Sequence, residues 1–244
     1  MSEALRNAIL GKAKTITVGS GEAAVELLRV EPGTFVLGSP AIEQGRLDSE
    51  GPTRKVTLTR PFYLGRYPIT QAQYAAVTGK IPARPAGRAV AIDELTYADA
   101  VAFCTEMSRS AGVRVTLPSE AQWEYACRAG TTTRFWSGDD EKDLARVGWY
   151  RENAEGRARE VGQKPANPWG FHDMHGNVCE FCRDALPAYR VIPEQDPVGR
   201  TSGTDGIMRG GGWMHPAEYC RSAARFMSND RFGGAGLRIA VPAT

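Results

Sequence analysis

The sequence predicts a single α+β domain with short strands, about three helices and a long, loop-rich C-terminal half. Three observations carry this. Residues 24–38 and 54–70 carry strand-like apolar patterning, with alternation of period two. Three segments between residues 70 and 130 carry helix caps. Beyond residue 131 regular periodicity stops, and Gly, Pro, Asn, Asp and Trp accumulate. The 27 glycines and 15 prolines favour shaped turns over a helical bundle. With 42% apolar residues the 244-residue chain can bury a substantial core.

Residues 1–23 read as an N-terminal extension and 24–244 as the domain. Residues 24–38, AVELLRVEPGTFVLG, form two apolar strands around the turn dipeptide Pro32-Gly33. Residues 54–70, RKVTLTRPFYLGRYPIT, continue with Val56 and Leu58 on one face, then the aromatic pair Phe62 and Tyr63. The first helix spans 70–79, with Thr70 as N-cap, Gln73 at the capping-box position and Gly79 as terminator. The second runs from Thr96 to about Ser110, before Gly112. The third, 119–130, starts at Ser119 with Gln122 three residues on and ends at Gly130. Trp123, Ala126 and Cys127 share one face of it, so Cys127 reads as a small core residue, as does Cys104 on the second helix. Short strand-like pieces, GIMRGGGWM and GLRIAV, close the chain.

Charge and targeting signals narrow the function classes. The net charge of +2 comes without any Lys/Arg run, so nucleic acid is not an expected partner. The N-terminal stretch is too polar for a signal peptide, and no apolar run is long enough to span a bilayer. Five cysteines, an odd number, argue for reduced thiols and a cytoplasmic location.

Residues 171–182, FHDMHGNVCEFC, offer the spacing H-x2-H-x3-C-x2-C, which invites zinc. A strand over 178–182 argues against it. Cys179 and Phe181 would share one face, and Cys182 would point with Val178 and Glu180 to the other, so the two thiols would diverge.

Seven blocks in order carry a resemblance. They are PGTFVLGS (32–39), VTLTRPFYLGRYPITQAQYAAVTG (56–79), AVAFC (100–104), TLPSEAQWEYACRAG (116–130), PWGFHDMHGNVCEFCRD (168–184), MRGGGW (208–213) and CRSAAR (220–225), closing on GLR (236–238). The chain resembles the formylglycine-generating enzyme, or sulfatase-modifying factor, family. That implies a variant of the C-type lectin fold. Some members of that family oxidise a sulfatase cysteine with copper held by two thiolates, some use histidine-bound iron, and many only bind. In GGGWMHPAEYC (210–220) Cys220 falls on the second thiolate position, but His215 stands at the first and Gly212 replaces a serine. Ordinary formylglycine generation is therefore not expected, and neither copper nor iron is an expected cofactor. The resemblance instead implies calcium at Asp173, Asn177 and Glu180, with the carbonyls of Gly176 and Val178 as further oxygen donors; the alternative is that these polar groups hydrogen-bond neighbouring turns. The family's other calcium site would use Asn153. In this register Cys179 and Phe181 stand where the family has tryptophans, and His172 where it has an aromatic.

Two readings of function follow. The preferred one is a binding module for an unknown protein, peptide or small-molecule ligand. Its surface would use Trp149, Tyr150, Trp213, Met214, His215, Glu218, Tyr219, Phe226, Asn229 and Arg231. One form of it is a retroelement-diversified receptor, for which residues 228–235, SNDRFGGA, are compatible. The alternative is a copper or iron oxidase or oxygenase with an altered site, in which His215 and Cys220 are the catalytic pair. Arg221 and Arg225 suit bidentate pairing with carboxylates or loop carbonyls.

Overall fold

A computed structural model describes residues 1–82, 86–184, 194–198, 206–227 and 234–243. The Ser2 hydroxyl caps helix α1 (Glu3–Leu10), which lays Leu5 and Ile9 on the core. Strand β1 (Thr15–Val18) buries Ile16 and Val18 and pairs antiparallel with β2 (Val25–Val30), placing Val18 opposite Val25. The N-terminal residues set down above as an extension are thus built into the first sheet and its core. Their period-2 signal is only four residues long, which is why it reads as linker until a partner strand is present.

Strand β3 (Gly33–Leu37) does not fold back on β2. It pairs instead with β4 (Arg54–Leu58), while β2 pairs with β5 (Phe62–Gly65). Pro32-Gly33 therefore passes the chain from one sheet to another. The β2–β5 layer is buried on both faces: Leu27 and Tyr63 face one core, Leu28, Phe62 and Leu64 the other. Such a strand reads as a continuous apolar run.

The helices follow their caps. In α2 (Gln71–Thr78) and α3 (Tyr97–Ala111) the Thr70 and Thr96 hydroxyls each accept from the N3 amide, and Gly79 and Gly112 close them in the left-handed region. In α4 (Glu120–Arg128) Ser119 does the same, but Ala129, at φ 45°, takes the left-handed position ahead of Gly130. One further helix, α5 (Glu141–Val147), lies in the half expected to be loop. Its sequence signal was present in Asp140 followed by Asp143 at N3, a capping pair with acidic chemistry.

The remaining described strands are short: β6 (Cys179–Phe181), β7 (Glu194–Gln195), β8 (Ile207–Arg209), β9 (Arg225–Met227), β10 (Ala235–Gly236) and β11 (Ala240–Pro242). Three sheets result, ordered β1-β2-β5-β11, β10-β6-β8-β9 and β3-β4-β7, with β6–β10 and β4–β7 parallel. Ladders this short leave many loop carbonyls needing donors, and buried arginines supply them. Arg221 binds Glu50 and Glu43 and donates to the carbonyls of Gly45 and Glu218. Arg225 pairs with Glu120, Arg209 with Glu124, and Arg238 with Glu180, each guanidinium wholly buried. Planar forks that satisfy several acceptors at once suit a loop-built domain. No described helix is long and apolar enough to cross a membrane.

Candidate functional site

The loop 210–220 is set by its glycines. Gly210 and Gly211 sit at φ 88° and 66°. A Cβ on Gly210 would stand 2.9 Å from the Trp123 ring, and one on Gly211 2.6 Å from Cys220 Sγ. Only glycine meets both demands. The loop therefore lies tightly over β6 and α4, and the Trp213 amide donates to the Asn177 carbonyl at 2.8 Å.

His215 is 2% exposed. Its ring lies 5.5 Å from that of Phe226, nearly parallel, and 5.6 Å from that of Tyr219. The sulfur set against it is that of Cys179, 3.6 Å from Nδ1. Burial pulls the imidazole's pKa down to about 4, so it is neutral near pH 7. Cys220 is fully buried beneath Gly211. Burial pushes its thiol far up, and Cys179 is raised by burial and then by Cys220 itself. Sequence spacing pairs His215 with Cys220. The fold adds Cys179, which the sequence reading treated as a core replacement for tryptophan. These residues do not match the two-thiolate copper site that the resemblance implies, because an imidazole stands at the first position, and in the metal-free chain burial raises both available thiols.

The expected ligand face divides. Trp213 and Met214 are half-buried, as is Tyr219, and Glu218 is exposed. The Trp213 indole donates to Asp93 at 3.2 Å. Trp149 is half-buried, with Lys164 Nζ 4.2 Å and the Arg159 guanidinium 4.8 Å from its ring. Tyr150, by contrast, belongs to the core. It packs with Phe135, Leu144, Ala217 and Cys220, and its hydroxyl donates to Glu141 at 3.0 Å. Phe226, on β9, is likewise a core residue facing Phe181 and Met208, and His215 contributes packing rather than surface. Alternation along β9 turns Phe226 inward. Asn229, Arg231 and most of 228–235 lie outside the described residues.

The FHDMHGNVCEFC segment disperses its ligands. His172 stacks on Tyr67 at 4.9 Å, and Cys179 and Cys182 enter different cores. His175 is a buried keystone: Nε2 accepts from the Trp136 amide at 3.0 Å, so Nδ1 carries the proton and donates to the Cys220 carbonyl at 2.7 Å. No group of three His, Cys, Asp or Glu side chains poised for a metal occurs among the described residues.

In the expected calcium set, Glu180 is part of a buried ion pair. Its two oxygens accept from Arg238 and from the Trp123 indole (2.6 Å), so both are engaged. Asn177, at φ 63°, uses its amide on the Arg159 backbone, accepting at 2.9 Å and donating at 3.3 Å. Asp173 accepts from the Gly162 amide at 2.7 Å, and its other oxygen is buried without a hydrogen bond from the described residues. Burial pushes that carboxyl's pKa up. Asn153 closes its own turn, accepting from the Tyr150 amide and donating to the Gly148 carbonyl. These polar groups staple loops that lack ladders.

Comparison with known proteins agrees with this architecture. The chaperone protein LppX of Paenibacillus barcinonensis is 24% identical over 95% of both chains. The formylglycine-generating enzyme of Mycobacterium tuberculosis is 36% identical over 155 residues, 54% of this chain and half of that enzyme. The structure of PvdO from Pseudomonas aeruginosa superposes with a TM-score of 0.82 at 25% identity, covering 93% of this chain and 98% of that one. The sulfatase-modifying factor enzyme 1-like domain matches residues 15–243, from β1 to the last described residue, and the chain belongs to that family.

Proposed function

We propose that the chain is a binding module of the sulfatase-modifying factor family, and that its ligand is met by Trp213, Met214, Glu218 and Tyr219 on the 210–220 loop. One observation carries this reading. The groups able to do redox or metal chemistry, His215, Cys179 and Cys220, are at most 2% exposed, whereas the indole, thioether and phenol above them face solvent in part. Aromatic and Met side chains on a loop pinned by glycines make a preorganised contact surface, with little ordering needed on binding. Likeness over the full length to a protein named a chaperone fits a role in engaging another polypeptide. Selection of peptides from a random display library on the immobilised domain tests it. Peptides so recovered lose about tenfold or more in affinity on Trp213→Ala or Tyr219→Ala. A library that yields only binders indifferent to both changes overturns the reading.

A second reading, an oxidase or oxygenase with an altered copper or iron site, is favoured by the 3.6 Å approach of Cys179 Sγ to His215 Nδ1 beside Cys220. A thiol and an imidazole in contact are ligand types that a soft or borderline ion accepts, and the remaining ligands would have to come from the substrate or from residues outside those described. Elemental analysis separates the readings. Stoichiometric copper or iron that is lost on His215→Ala supports this one, and metal-free protein whose oxygen uptake His215→Ala leaves unchanged removes it.

A further inference from the structure

A cavity of about 480 Å³ opens where the β4–β5 turn, the strand β11 and the segment leading into α4 meet. Its walls are apolar, with Leu58, Phe62, Val113 and Val241 among them, and Val198, itself 48% exposed, stands among the lining residues. Three arginines line it, Arg60, Arg114 and Arg183, against a single acid, Asp196. That acid is already engaged: it accepts from the Thr59 amide at 2.8 Å and from the Thr59 hydroxyl, and stands 4.0 Å from Arg60 Nε. The carboxylate next to Arg183 in sequence, Asp184, is committed to the N-terminus of α4, where it accepts from the Glu120 amide at 2.8 Å. Arg114 and Arg183 make no ion pair among the described residues, and Arg183 Nε is buried there without a hydrogen-bond partner. Arg221 and Arg238, by contrast, are saturated with carboxylates and carbonyls, so two guanidinium groups that line one cavity without an ion pair among the described residues call for an anion.

We infer that this cavity binds a small amphipathic anion, with a phosphate or carboxylate head on Arg114 and Arg183 and an apolar body against Phe62, Val113 and Val241. The volume lies in the range of small-ligand sites. An oxyanion head matches the planar, forked donors of arginine. Burial lowers the Arg183 pKa, Asp184 offsets part of that, and Arg114 and Arg60 lower it further; a negative head beside Arg114 and Arg183 relieves this repulsion. The lining residues are distinct from those of the 210–220 loop.

Calorimetric titration of the whole chain with octyl phosphate, octanoate, inorganic phosphate and octyl glucoside tests the inference. One or both octyl anions bind at least about tenfold more tightly than inorganic phosphate and octyl glucoside, and the tighter anion identifies the head. Arg114→Gln and Arg183→Gln each weaken that binding by about ten- to a hundredfold. Arg114 is exposed, so its variant folds whatever Arg183→Gln does. Octyl anions that bind no better than octyl glucoside or inorganic phosphate, or whose binding Arg114→Gln leaves intact, overturn it.

Discussion

Glu180 and Arg238 face one another in a wholly buried pair, with Nη2 2.7 Å from Oε1 and Nε 2.9 Å from Oε2. The same guanidinium donates to the carbonyls of Gly65, Arg66 and His172, so one side chain ties the sheet of β5, the 172 loop and β6 together. Removing its counter-charge strands a buried cation. Glu180→Ala is expected to cost about 3–5 kcal/mol in urea unfolding, a large share of the roughly 5–15 kcal/mol that holds a typical domain folded. A loss below about 1 kcal/mol would show that the pair is solvated in solution.

Because both Glu180 oxygens are held, calcium and its chelator are expected to leave the melting midpoint unchanged. A calcium-dependent rise of several degrees, abolished by Asp173→Asn, would return these carboxylates to a ligand role.

Two buried histidines give stability a pH slope. His175 and His215 are both pulled by burial from 6.5 to about 4. Between those values the unfolded chain binds protons that the folded chain refuses. Stability therefore falls as pH drops from about 6.5 toward 4, by at most about 1.4 kcal/mol per pH unit for each histidine. Calorimetry across this window, repeated on His215→Phe, is expected to show the slope reduced in the variant.

Further acid acts through Glu50. Burial pushes its carboxyl up, but the Arg221 hydrogen bonds and charge, with help from Ser39 and the Leu47 amide, outweigh that and hold it below 4.5. A depressed folded pKa means that the pair's contribution is complete above the unfolded value and is lost as pH falls through the folded one. Below about pH 4.5 the wild-type midpoint should drop further. Glu50→Gln should start lower at neutral pH and respond less to acid in this range.

All five cysteines are free and buried, and Cys104 and Cys127 are pushed by burial to about 12. Thiol reagents at pH 8 should modify the native protein slowly, at a rate set by opening, and all five sites promptly in denaturant. One thiol reacting at once in the native state would contradict this burial.

Gly211→Ala should destabilise the domain by about 1–3 kcal/mol, since the backbone is left-handed there and the new methyl meets Cys220. A compensating Cys220→Gly change should recover part of the loss if that contact is the cause.

What the sequence determined by itself is local or modular. Helix starts were legible because a cap joins residues three apart: Thr70 with Gln73, Thr96 with Asp99, Ser119 with Gln122. The divergence of Cys179 from Cys182 was legible because strand alternation is local too. Family and fold were legible in ordered motifs spread along the chain. The tertiary structure alone decided which partner each buried charge takes, because Glu180 meets Arg238, and Glu50 meets Arg221, across long stretches of chain. It also decided that Tyr150 and Phe226 face the core while Trp213 is only partly buried, and that Cys179 stands 3.6 Å from the His215 ring. The gathering of Arg60, Arg114 and Arg183 at one cavity belongs to the same class. Their charges show no run in the sequence, because packing brings together residues that no spacing rule relates.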